Sequence, residues 1–195
     1  MWLERVSGPS QNVIEIEDAR DHLRILDQDN DSEIQAAISA ATAYLDVDED
    51  GFGGLGFPLV SQQWKLRVPG FAEVMTRLPF ARVTSVDAID VIGADDVPAS
   101  VPPPDYMLTG SGRLKQVVLT SGASWPNVAD RPDAVTIRFT AGWADVDAVP
   151  GDIKAAARLL IGHFFENRTA VADGPSAEIA LGVERLTTRY KAFAI

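Results

Sequence analysis

The spacing of apolar residues changes twice along this chain, and that alternation bounds what it can fold into. Ile34, Ile38, Ala41 and Leu45 recur at helical spacing, with Ala37 and Tyr44 beside them. Trp64, Leu66 and Val68 then alternate with Lys65 and Arg67, and Val135, Ile137 and Phe139 alternate with Thr136, Arg138 and Thr140. Such a period of two belongs to strands with one buried face. Ile153, Ala157, Leu160, Ile161, Phe164 and Phe165 return to the helical period. The pattern predicts an α+β fold, with helices on both sides of an antiparallel β-rich insertion.

Residues 1–14 read as an extended arm. Residues 15–25 read as a helix, with Ile16, Ala19, Leu23 and, just past its end, Leu26 at helical spacing, and with Glu17 and Asp18 at the positive end of its dipole. Asn30, three residues before Glu33, resembles a capping-box start for a second helix. An acidic turn, DQDND, joins the pair, which spans 15–47. The β-rich insertion covers 60–141: strands at 64–68 and 85–92, a stiff Val101-Pro-Pro-Pro104 segment, a hairpin around Thr109-Gly-Ser-Gly112, and a last strand at 135–140. Pro150 suits the first turn of a long helix over 150–168. These segments define a core of residues 1–170. A linker containing Asp173-Gly-Pro-Ser176 leads to a C-terminal tail, and 171–195 forms the second part of the chain. In that tail Ile179, Val183, Leu186 and Tyr190 share a helical face that Gly182 interrupts.

The 195 residues suffice for one domain, or for a core with arms. Acidic residues number 28 against 17 Lys and Arg, a net charge of −11, which disfavours a nucleic-acid binder because phosphate contacts need clustered cations. There are no cysteines, so disulfides and thiolate metal sites are excluded and a reducing cytoplasm is the simplest setting. No apolar run approaches the ~20 residues of a membrane span, and the N-terminus lacks the pattern of a signal peptide.

The stretch DVDEDGFGGLGF, from Asp46 to Phe57, begins like a calcium loop. The twelfth position, where a bidentate glutamate closes the shell, is Phe57. The stretch therefore reads as a solvated acidic loop after a helix, and no metal is expected. His22 and His163 lack partners at ligand spacing, no Gly-x-Ser-x-Gly elbow is present, and no cofactor or catalytic group is expected. A small hydrolase using His163 and Glu166 is the remaining enzymatic alternative. Glu166, Asn167 and Arg168 read either as a polar helix end or as an intersubunit contact, since Arg makes forked bonds to carboxylates. The last residues carry Arg185, Arg189 and Lys191 against Glu184, a locally cationic end on an anionic chain.

Several segments in order resemble the head–tail connector (adaptor) family of long-tailed phages and gene transfer agents. They are IEDARDHLRI, SEIQAAISAATAYL, QQWKLRVPGF, LPFARVTSVDAIDV, DYMLTG, VTIRFTAGW and the proline-led VPGDIKAAARLLIGHFFENR, running from Pro150 to Arg168. The resemblance implies a helical bundle core, the two N-terminal helices plus the long helix 150–168, that carries the β-rich insertion, in a structural protein of the virion or particle neck assembled in the bacterial cytoplasm. About twelve copies would form a ring under the portal of a capsid, extend the channel through which DNA passes unread, and dock a tail-side stopper or neck protein. Twelve chains of −11 would carry roughly −132, which lets DNA slide rather than adhere. Val183, Arg185, Leu186, Arg189, Tyr190 and Phe193 become the candidates for portal binding. A neck or tail-completion protein farther from the portal is the alternative.

Overall fold

The computed structural model describes residues 1–9, 11–72, 77–111, 115–167 and 177–191. They form an α+β structure whose chain divides into two compact units. A β-rich unit comprises Met1–Gly8, Glu49–Gly51 and Ser61–Gly142, and a helical unit comprises Pro9–Asp48, Phe52–Val60 and Trp143–Ile195.

In the β-rich unit the strands are β1 (Trp2–Ser7), β2 (Gln62–Val68), β3 (Val83–Ile92), β4 (Pro98–Ser100), β5 (Tyr106–Thr109), β6 (Gln116–Leu119) and β7 (Val135–Ala141). Five of them make an antiparallel sheet in the order β1-β2-β7-β3-β4, and β5 and β6 form a separate hairpin. The alternation read from sequence sets the register. Trp64 lies across from Phe139, and Leu66 across from Ile137, which in turn faces Ile89. All of these are buried. Phe80 meets the Trp64 ring edge-on, with centroids 4.7 Å apart. The intervening residues put Lys65, Arg67, Arg138 and Asp90 on the opposite face, where Arg138 bonds Asp90 at 2.7 Å.

Residues 2–7, expected as part of an arm, are instead the edge strand β1. Glu4 stands opposite Lys65 and pairs with it at 2.9 Å and with Arg67 at 3.4 Å. The Arg5 amide donates to the Glu49 carbonyl at 3.1 Å, so a loop covers part of the outer edge. At the other edge β4 is only three residues long and begins with Pro98. Both features limit pairing with a stray strand.

In the helical unit α1 (Ile16–Leu23), α2 (Asp31–Leu45), α3 (Gly151–Glu166) and α4 (Ala177–Thr187) are the α-helices among its described residues. Ile34, Ile38, Ala41 and Leu45 of α2 and Ile153, Ala157, Leu160 and Ile161 of α3 are buried. Arg20 of α1 bonds Asp31 of α2 at 2.8 and 3.1 Å, and Arg158 of α3 bonds Asp18 of α1 at 2.9 and 2.7 Å. The Arg20–Asp31 fork, two nitrogens on two oxygens, fixes its helices in orientation as well as distance, whereas a single Arg158 nitrogen spans both oxygens of Asp18. The first helix ends at Leu23, earlier than its apolar pattern suggests, because Arg24 turns left-handed at φ 60° and lets the Ile25 amide reach the Arg20 carbonyl. Asn30 does stand at the start of α2, but its side chain makes no capping bond; its carbonyl accepts from the Glu33 and Ile34 amides.

Candidate functional site

The acidic loop after α2 is exposed at Asp48, Glu49 and Asp50, as its composition suggests, but its first residue is not. Asp46 is buried, and its Oδ1 accepts from the amides of Val47 at 2.8 Å and Leu59 at 3.1 Å. The Asp48 carboxylate accepts from the Phe52 amide at 2.8 Å, and the Asp48 amide donates back to the Phe52 carbonyl. Gly54 sits at φ 48°, and a Cβ there would overlap the carbonyl oxygens of Leu45 and Asp46. The first carboxylates thus organise backbone, and glycine permits the close return of the loop onto α2. No group of His, Asp and Glu that could hold a metal is assembled among the described residues.

The returning loop forms one wall of a groove of about 610 Å³. Tyr44 and Leu45 at the end of α2, Gly54 and Leu55 of the loop, and Ala180, Leu181 and Val183 of α4 line it. Leu45, Leu55 and Val183 are buried, while Tyr44 and Leu181 stand exposed, Leu181 at 56%. Glu184, Thr187 and Lys191 supply its polar part, with Lys191 bonded to Glu184 at 3.1 Å.

The candidate portal-binding residues divide between the two sides of α4. Val183 is only 4% exposed, and Leu186 and Tyr190 are half-buried. Their helix lies along α3, where Gly182 comes close enough that a Cβ would stand 3.6 Å from Leu159. That spacing is ordinary contact, and Gly182 does not break the helix. Arg185 is exposed. Arg189 pairs with Asp152 at the start of α3, donates to the Tyr190 hydroxyl at 2.7 Å, and lies over that ring. Phe193 lies outside the described residues. The sequence reading had Tyr44 only as a residue beside the α2 stripe and missed Leu181, which follows Ile179 by two positions, about 200° around the helix, off the Ile179–Val183 stripe.

Of the three candidates for an intersubunit contact, Asn167 caps α3 within its own chain. Its backbone and side-chain amides both donate to the His163 carbonyl, at 2.9 and 3.0 Å. Glu166 is exposed at the helix end, and Arg168 lies outside the described residues. The His163 ring contacts Asn167, with Nδ1 3.3 Å from its amide nitrogen, and tilts against Phe164.

Charge is distributed unevenly. The β-rich unit holds nine Lys and Arg against eleven Asp and Glu, whereas the helical unit holds eight against seventeen. Nearly all of the net charge therefore belongs to the helical unit. No helix among the described residues is long and apolar enough to cross a membrane.

No family model and no curated protein matches the chain. Solved structures do match. This chain is similar along its whole length to chains of gene transfer agent (GTA) particles. One comes from the neck of an empty GTA particle computed with C6 symmetry, with a TM-score of 0.70 at 24% identity. A second comes from the virion of a native GTA particle, at 0.69 and 25%, and a third from the neck of a native GTA particle computed with C12 symmetry, at 0.67 and 25%. Each comparison covers 100% of this chain and 97% of the other. The likeness thus takes in both units together with the C-terminal helix.

Proposed function

We propose that this chain is a structural protein of a particle neck: a head–tail connector whose copies form a ring under the portal. The observation that carries the reading is the full-length likeness to GTA particle chains, among them one from a neck computed with C12 symmetry. The charge of −11 agrees with a role beside DNA that must pass without adhering. In this reading the exposed side of α4, with Arg185, faces the portal, and the ring presents its far side to a stopper or neck protein.

The test is electron microscopy of the full chain mixed with its cognate portal. The expected image is a ring stacked on the portal with twelve-fold symmetry. A chain that stays monomeric and unattached overturns the reading, and a chain that copurifies with the tail tube but not the portal replaces it with a more distal neck role.

A further inference from the structure

We propose that the groove beside α4 receives residues 192–195 of its own chain, Ala192-Phe-Ala-Ile195.

The chemistry of the groove selects an uncharged, apolar occupant. Its charged lining is already paired, since Lys191 bonds Glu184 at 3.1 Å. The buried Thr187 hydroxyl is likewise engaged, donating to the Val183 carbonyl at 2.8 Å. What the walls offer beyond these is apolar surface, with Tyr44 and Leu181 exposed on opposite sides. That surface gains from an apolar group that displaces water, whereas a charged group entering it would lose hydration without a counter-charge. Residues 192–195 carry no charged side chain, and their two large ones are the apolar Phe193 and Ile195.

Position selects the segment of the same chain. Lys191 itself lines the groove, so residue 192 begins at its rim. The Lys191 backbone, at φ −53° and ψ 124°, has left the helical region, and the chain no longer follows the α4 axis. Two extended residues span about 7 Å and four about 13 Å. From Lys191 back to Leu181 the wall is about 15 Å long, being one 3₁₀ turn and six helical residues. Phe193 thus reaches the last turn of α4, and Ile195 comes within one residue's length of Leu181. A segment tethered at the rim meets the groove at a millimolar effective concentration, against which a second copy or a portal chain has to compete. Phe193 is then covered in the free subunit, and a portal that takes it has to draw it out; this consequence, unlike the docking, rests on the neck reading.

The test uses the isolated full chain, whose lack of cysteine lets thiols be placed singly. Leu181→Cys and Ile195→Cys together are expected to give, on mild oxidation, a monomer with its two thiols joined, at a rate that does not change on dilution. Phe193→Asp in the same chain is expected to slow that closure about ten-fold or more. Leu181→Cys alone is expected to react with a thiol reagent about three-fold or more slowly in the full chain than in one stopping at Lys191. Closure at the same rate with Phe193→Asp would be chance encounter and overturns the docking, as does the absence of closure. Covalent dimers or longer oligomers in place of closed monomers assign the groove to a second copy's segment and overturn it too. So does a Leu181→Cys thiol that is shielded only after the portal is added, which assigns the groove to the portal.

Discussion

Asp46 closes α2 and at the same time holds the loop that follows it. Its amide completes the helix by donating to Thr42, and its carboxylate accepts from Val47 and from Leu59, thirteen residues on. Removing the carboxylate leaves two amides without their acceptor in a buried place. Asp46→Ala is therefore expected to cost about 2–4 kcal/mol in urea unfolding, and Asp46→Asn, which keeps one acceptor oxygen, about 1 kcal/mol. Equal losses in the two variants would mean that charge, not the acceptor, matters at this site. The sequence shows why such a residue is hard to read. Asp46, Asp48 and Asp50 alternate as metal ligands would, and the missing ligand at Phe57 disposes of the metal without revealing the alternative. A carboxylate that binds backbone amides carries no distinctive neighbour in sequence, because the amides are supplied by any residue type.

At the scale of the element, the helices α2 and α3 and the strands β2 and β7 were legible because each buries one face, and burial leaves its period in the sequence. Strand β1 was not. Trp2 and Val6 are exposed while Leu3 and Arg5 are half-buried, so polarity does not track burial along it. Its identity comes from a partner some sixty residues away, through the ladder to β2 and the ion pairs of Glu4. The Lys65 hydrogen bond, aided by the charges of Lys65 and Arg67, holds the Glu4 carboxyl below the usual glutamate range. A carboxyl depressed in the folded state stabilises it above the ordinary glutamate pKa, and the contribution is lost as pH falls through the depressed value. Amide protection across residues 2–7, corrected for the intrinsic exchange rate at each pH, is thus expected to fall on acidification before the rest of the sheet responds. Glu4→Gln is expected to exchange faster at neutral pH and to show little of that acid step. An unchanged acid step in the glutamine variant would place its origin in another carboxyl.

For the molecule as a whole, the C-terminal segment shows what sequence could and could not say about the candidate site. The stripe of Ile179, Val183, Leu186 and Tyr190 was visible as one face of a helix, but a stripe does not announce its partner. Here the partner is α3 of the same chain: Val183 and Thr187 are buried, and Arg189 reaches Asp152. A portal contact through Val183 requires α4 to leave that position, whereas one through Arg185 does not. The distinction has a thermodynamic consequence. Removing residues 177–195 strips apolar cover from α3 and opens the wall of the groove, at a cost of about 3 kcal/mol from the lost burial of Val183 and the half-buried Ile179 and Leu186. The truncated chain is expected to keep its helical and strand content by circular dichroism but to unfold at a lower urea concentration. A midpoint equal to that of the full chain would show that α4 contributes nothing to the subunit and is free to serve a partner. With the expected loss, portal binding by the truncated chain has to be judged against Arg185→Glu, which reverses an exposed charge and leaves the packing of α4 on α3 in place.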